Sequence, residues 1–181
     1  MTPGRRVTLD SSVLIAYVVS KKDDSVVKKV VMKSMTDDSL MITDVIMDEV
    51  FAFSEKKQST VTREHIERAI SGLNVPIVKI RPIPNEHDLQ ARYGIRDLSD
   101  AKILYSVETT ESVILVTYDD DYFDGNVKGL NLEIMDPTVY LYEDDVKSGR
   151  YIPKRERNRR YFRSKRRDER WESLKPRPSY R

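Results

Sequence analysis

The stretch Arg6 to Val19, RVTLDSSVLIAYVV, places a short apolar strand, an acid and the start of a helix next to one another. The strand Val7-Thr8-Leu9 ends at Asp10, and Ser11-Ser12 then opens a helical segment. A strand that runs directly into a helix is the repeating unit of parallel α/β sheets. We therefore expect Asp10 at the carboxyl end of a buried strand, where an ionised carboxylate is costly unless something compensates it.

Three further acids occupy positions where the hydrophobic periodicity predicts apolar side chains. Glu49 interrupts the apolar face of the segment Val45 to Phe53, Asp100 shares a helical face with the apolar residues that follow it, and Asp119 follows the apolar strand Val113 to Thr117. Several carboxylates brought together repel one another unless a hard divalent cation offsets their charge. The pattern therefore predicts a Mg²⁺ or Mn²⁺ site.

Strand-length apolar segments alternate with amphipathic ones along the chain, which predicts an α/β fold with a parallel sheet. Asp136 before Pro137 indicates a helix start, and glycines 72, 94 and 149 indicate helix ends. In such sheets ligands bind beyond the carboxyl ends of the strands, near the point where the strand order reverses, so the four acids can converge there. The predicted strands are Arg6 to Asp10, Leu40 to Thr43, Val75 to Ile80, Val113 to Thr117 and Leu132 to Met135, and the predicted helices are Val13 to Val19, Ser25 to Met35, Val45 to Lys57, Thr62 to Leu73, Glu86 to Tyr93, Asp100 to Thr109 and Pro137 to Lys147.

The composition excludes several kinds of chemistry. The 181 residues include no cysteine, which rules out disulfides, thiolate catalysis and cysteine-based zinc sites. His65 and His87 have no partner at ligand spacing, and we interpret both as ordinary surface or half-buried residues. Catalysis would therefore have to use oxygen ligands.

The charge is divided unevenly and predicts two parts, a domain over residues 1–149 and a basic extension over residues 150–181. The extension carries 14 Lys or Arg against 4 acids, whereas the rest of the chain has a net charge of −8. Arginine contacts phosphates and stacks on bases, and the aromatic residues interleaved here can also stack, so we expect this segment, helical or disordered, to bind RNA. The alternatives are a solvated tail and an arm that folds onto the acidic domain or onto a partner subunit. The candidate RNA-binding residues are Arg155, Arg157, Arg159, Arg160, Arg163, Arg166 and Arg167.

No segment has the charge and cleavage pattern of a secretory signal, and none approaches the length of a membrane span. We therefore expect a cytoplasmic protein without a membrane partner.

The four acids, in their order and spacing, resemble the motifs of the PIN-domain nucleases, the family that includes the VapC toxins of toxin–antitoxin pairs. The resemblance covers about residues 5–147. The matching segments are Leu9 to Ile15, the helix around Glu49, Leu98 to Ile103, Thr117 to Phe123, and Ile134 to Pro137. Two residues depart from the family pattern, since Tyr105 replaces a small residue and Tyr122 replaces a phenylalanine; the second change is expected to have little effect.

This resemblance implies a three-layer sandwich with a central parallel sheet and a metal-dependent ribonuclease of the VapC type. It implies that Asp10, Glu49, Asp100 and Asp119 hold Mg²⁺ or Mn²⁺ and carry the reaction. Auxiliary roles fall to Ser11, Thr117, Asp97 and Asp121. The partners it implies are RNA, an antitoxin-like regulator or a ribosomal particle, and a second copy of the chain in a homodimer.

Other interpretations stay open at this point. Asp100 with Ser99 could simply cap a helix, Glu49 could lie on a solvated face, and Asp121 could be a turn residue. Among functions, the alternatives are a nuclease of RNA maturation rather than a toxin, and a catalytically inactive PIN-like module that binds RNA or acts as a scaffold. A phosphatase of the haloacid dehalogenase type is a weaker alternative, because it needs a second aspartate where this chain has Ser12. A receiver domain is rejected, because the lysine that it requires after a strand is missing.

Overall fold

The computed structural model describes residues 4–56, 59, 61–124, 127 and 129–151. Nearly all of the basic extension, including the seven candidate RNA-binding arginines, lies outside the described residues. By its internal contacts the chain divides into one compact unit that ends at Leu141 and a second that begins at Tyr142.

Five parallel strands form one sheet in the order β3-β2-β1-β4-β5. The order reverses at β1, which lies between β2 and β4. In this register Leu9 is paired with Val116, so the residues that follow them, Asp10 and Thr117, leave the sheet side by side at its carboxyl edge. The strands are β1 (Arg6–Leu9), β2 (Ser39–Thr43), β3 (Ile77–Val78), β4 (Ile114–Val116) and β5 (Glu133–Met135).

The helices of the first unit flank the sheet and give the α/β sandwich that the motifs imply. Val7, Thr8 and Leu9 of β1 are all fully buried, which explains why this strand lacks the alternation of a half-exposed strand. The helices are α1 (Ser11–Val19), α2 (Val26–Thr36), α3 (Asp44–Ser54), α4 (Arg63–Ser71), α5 (Glu86–Tyr93), α6 (Leu98–Thr109), α7 (Asp121–Asp124), α8 (Pro137–Leu141) and α9 (Glu143–Lys147).

Hydroxyl and carboxyl side chains fix the starts of the helices that carry the acids. The Thr43 hydroxyl accepts a hydrogen bond from the backbone N–H of Ile46 at the start of α3 (3.4 Å). The Asp97 carboxylate accepts from the N–H groups of Ser99 (2.8 Å) and Asp100 (3.3 Å) at the start of α6. Such caps satisfy N–H groups that have no partner within the helix, and they stabilise the start of each helix at that residue.

Two predicted elements are corrected by the structure. The helix predicted over residues 137–147 is two short helices, α8 and α9, separated at Tyr142, whose backbone is not helical (φ −109°, ψ 33°). The third strand is shorter than the apolar run Val75 to Ile80, because Pro76 has no N–H to pair and β3 is an edge strand that contacts only β2. Among the described residues, no helix is long and apolar enough to cross a membrane.

Candidate active site

Asp10 is buried at the junction of β1 and α1, and hydroxyl groups hold its carboxylate. The Ser12 hydroxyl donates to Oδ2 at 2.7 Å and the Thr117 hydroxyl donates to the same oxygen at 2.8 Å. Thr117 directly follows the neighbouring strand β4, so this contact joins the ends of the two strands at the point where the strand order reverses. The orientation of Asp10 is therefore set by both strands at once.

The side chain of Glu49, on α3, lies close to Asp10. The Ser11 hydroxyl donates to Glu49 Oε2 at 2.6 Å and lies 3.5 Å from Asp10 Oδ1, so one serine connects the two acids. The other oxygen, Glu49 Oε1, is buried and has no hydrogen-bond partner among the described residues. Burial raises the pKa of Glu49; the Ser11 hydrogen bond opposes this change, and the negative charge of Asp10 adds to it.

Asp100 is the third residue of α6 and is only 8% exposed. It does not cap that helix, because Asp97 does so. Burial raises the pKa of Asp100 to about 7, and the negative charges of Asp97, Asp119 and Asp10 add to the effect. The helix-cap interpretation of Asp100 is therefore wrong, and a buried carboxyl group faces other acids here.

Asp119 lies beyond the end of β4, partly buried. Its backbone N–H donates to the Thr117 hydroxyl at 2.9 Å, and its Oδ1 accepts from the N–H of Asp121 at 2.8 Å. Asp121 starts α7 with an exposed side chain, so its contact with the acids runs through its backbone.

Sequence reasoning gave no role to two residues that the structure places among the acids. Ser12 was assigned only to a helix start, yet it bonds Asp10 and also accepts from the N–H of Tyr118 at 3.2 Å. Tyr122 is 2% exposed, and its buried hydroxyl has no hydrogen bond of ordinary geometry among the described residues. Burial raises the pKa of Tyr122 well above its ordinary value, and the charges of Asp10, Asp100 and Glu49 add to this. Its replacement of phenylalanine was the signal that could have found it.

Comparison with known proteins bears on this arrangement. The PIN domain family matches residues 7–126, about two thirds of the chain and all four acids. The chain belongs to the PIN domain family. Members of this family are generally nucleases.

Among solved structures, this PIN domain resembles a chain of VapBC2 from Rickettsia felis, which was determined bound to a DNA fragment from the promoter of the pair. The match has a TM-score of 0.51 and covers 72% of this chain and 99% of the other, at 14% identity. At that identity the likeness is one of fold. A comparison with curated protein sequences gave no match.

The donor set of this PIN domain suits a hard divalent cation, since every candidate ligand is an oxygen and the buried Glu49 Oε1 has no hydrogen-bond partner in the described part of the chain. Within the described part of the chain, no three acid or histidine side chains are close enough to enclose an ion directly. Mg²⁺ does not require such a cage, because it commonly keeps several waters and uses one or two carboxylates. The acids therefore fit a cation of this kind.

Proposed function

We propose that this PIN domain is a metal-dependent endoribonuclease that hydrolyses RNA phosphodiester bonds. The observation that carries the proposal is electrostatic: acids from four separate segments lie close together at the carboxyl edge of the sheet, where their negative charges help to raise the pKa of Asp100 and of Glu49. The negative charges of Asp97, Asp119 and Asp10 help to raise the pKa of Asp100. The negative charge of Asp10 likewise helps to raise the pKa of Glu49. Burying like charges together opposes folding, so a functional cation is the simplest reason for the arrangement.

In this proposal Asp10, Asp100 and Asp119 hold Mg²⁺ or Mn²⁺, and Glu49 is a fourth ligand or positions a water. When bound, the cation supplies Lewis-acid stabilisation of the charge that develops on the phosphate. Glu49 Oε1 has no hydrogen-bond partner of ordinary geometry among the described residues, so in this proposal it accepts a hydrogen bond from water or holds a proton.

The hydroxyl groups would act by orientation. Ser12 and Thr117 hold Asp10 Oδ2, and Ser11 holds Glu49 Oε2. In this proposal the second oxygen of each carboxylate, Asp10 Oδ1 and Glu49 Oε1, is the one that faces the cation or its water. Fixing ligands in advance lowers the cost of ordering them when the cation binds. Asp97 and Asp121 contribute through helix capping and a backbone contact rather than as ligands.

The partners belong to the proposal as well. The relative in the solved structure is part of a VapBC2 complex bound to DNA, which supports an antitoxin-like regulator for this chain. RNA as substrate follows from the proposed chemistry and the basic extension. A ribosomal particle as the site of action, a homodimer and a cytoplasmic location are further parts of the proposal.

The second candidate is an inactive RNA-binding or scaffold module. It is favoured by the lack of three acids at direct ligand distance in the described residues. Against it, none of the four acids has been replaced, and Ser11, Ser12 and Thr117 hold two of them in defined orientations.

A pair of matched substitutions distinguishes the two candidates. Asp119→Asn removes one acid of the cluster, whereas Asp88→Asn removes an exposed acid of α5 that lies outside it. Both proteins would be incubated with mixed RNA and Mg²⁺. The nuclease proposal expects cleavage by the wild type and the Asp88 variant and a loss of at least about a hundredfold in the Asp119 variant. Equal cleavage by all three would contradict the assigned site.

A further inference from the structure

A cavity of about 420 Å³ lies between α3, α6 and the segment that follows β3, and Glu49 is the one of the four acids that lines it. One wall is a single stripe of α3, formed by Val45, Asp48, Glu49 and Ala52, whose spacing places them on one face of the helix. Glu49 therefore belongs to both the cavity and the acid cluster, because it lines the cavity and accepts the hydrogen bond from Ser11. Whatever fills the cavity lies next to the candidate reaction centre.

The second wall, made by Arg81 and Ile83 after β3, is held in place from two sides. The N–H of Ile80 donates to Asp44 Oδ1 at 3.0 Å, which ties the segment to the start of α3. The Tyr105 hydroxyl donates to the Pro82 carbonyl at 3.2 Å, which ties it to α6. Tyr105 is one of the two residues that depart from the family pattern, and this contact gives it a role: it anchors the cavity wall.

The cavity combines apolar surface with polar groups at its rim. Val45, Ala52 and Ile83 supply the apolar surface, while the first turn of α6 adds Ser99 and Lys102. Lys102 is paired with Glu86, and Arg81 lies 3.4 Å from Asp44 Oδ2. Ion pairs at such partly exposed positions contribute little to stability. The side chains of Arg81 and Lys102 can therefore leave these acids and bind a ligand instead.

This combination suits a nucleobase. A base has two apolar faces and an edge that carries hydrogen-bond donors and acceptors, and proteins bind unstacked RNA bases by packing on the faces and bonding the edge. Asp48 can accept from such an edge, and Ser99, Arg81 and Lys102 can donate to it. The volume lies within the ~300–1,000 Å³ typical of small-molecule sites.

We propose that this cavity binds one RNA base near the scissile phosphate and so determines which base the nuclease prefers at that position. The inference rests on the proposed nuclease function. It adds the substrate feature that the enzyme reads and the residues that read it, Asp48, Ala52, Arg81, Ile83 and Lys102.

The test is a substitution that fills the cavity. Ala52→Phe places a ring in it from an exposed position of α3, so the fold should be kept. Ala91→Phe is the matched control, since Ala91 is an exposed alanine of α5 that does not line the cavity. Both variants and the wild type would be assayed on an RNA oligomer that the wild type cleaves, and on copies with one abasic position each. Ala52→Leu replaces the phenylalanine variant if that variant cleaves too slowly to measure.

If the cavity holds a base, one abasic position should lower kcat/KM of the wild type and of Ala91→Phe by about tenfold, the effect of roughly one lost apolar contact surface. The same position should have little further effect on the filled variant, because that protein no longer binds the base. The inference is wrong if the wild type cleaves RNA and every abasic position affects the three proteins equally. Absence of any cleavage by the wild type is a different result, which would reject the nuclease proposal and this inference with it.

Discussion

At the scale of single residues, Asp10 and Asp100 have different surroundings although both are buried acids. Asp10 accepts two short hydrogen bonds from hydroxyl groups, whereas Asp100 faces the negative charges of Asp97, Asp119 and Asp10. The repulsion argument made from the sequence treats the four acids alike. The difference depends on Ser12 and Thr117, whose directions the sequence could not reveal.

A first prediction follows for stability without metal. Asp100→Asn should raise the melting temperature in EDTA near neutral pH, because it removes a buried charge that other acids oppose. Asp10→Asn should not, because the new amide must replace a carboxylate that accepts from Ser12 and Thr117. Thermal unfolding of the three proteins measures this. A clear loss of stability in Asp100→Asn would mean that Asp100 has a structural partner.

The second prediction concerns pH. The pKa of Asp100 is about 7 in the folded protein and near 3.8 ordinarily, so the folded state binds a proton that the unfolded state releases between these values. Protonation of Asp100 therefore contributes its full share to the free energy of unfolding below pH 3.8, and this contribution is lost as the pH rises to about 7. Relative to Asp100→Asn, the free energy of unfolding of the metal-free wild type should fall by on the order of 2 kcal/mol between about pH 5 and pH 8. Parallel pH profiles would contradict the assignment.

At the scale of elements, the pattern of the chain predicts most of what carries the site. The starts of α3 and α6 lie within two residues of their predicted positions, and α5 has the predicted bounds. The break at Tyr142 could not be predicted, because the segment around it contains no glycine or proline. The cavity wall formed by Arg81 and Ile83 could not be predicted either, because it depends on contacts of Ile80 and Tyr105 with residues distant in sequence.

The third prediction separates two roles of Asp97 at the start of α6. As the cap of this helix, Asp97→Ala should lower the free energy of unfolding by about 1 kcal/mol, whereas Asp97→Asn should keep the cap and most of the stability. Cleavage by the asparagine variant should stay near that of the wild type. Urea unfolding and an RNA cleavage assay on both variants test this. Loss of cleavage in the asparagine variant would instead make the charge of Asp97 part of the site.

At the scale of the whole molecule, the separation of charge suggests a division of work. The acids of the PIN domain would carry out cleavage, and the basic residues after Gly149 would add affinity for RNA of any sequence. Among those basic residues Arg150 is described and pairs with Asp145, and the others lie outside the described part of the chain. This division is therefore a prediction from the sequence.

The fourth prediction is that truncation after Gly149 weakens RNA binding and flattens its salt dependence. The slope of log affinity against log salt should decrease by ~0.7 for each phosphate contact removed from single-stranded RNA. Cleavage at saturating RNA should continue, because the four acids are retained. RNA affinity of the full-length and truncated proteins, measured across a salt series, tests this. An unchanged slope would show that the extension does not bind RNA.

The central claim is that a divalent cation at the four acids is needed for cleavage of RNA. It is tested most directly by dialysing the full-length protein against EDTA and incubating it with RNA alone, with Mg²⁺ and with Mn²⁺. We expect no cleavage without added metal and recovery when either ion is returned, because all candidate ligands are oxygens that suit these ions. Cleavage that continues undiminished in EDTA would contradict the account.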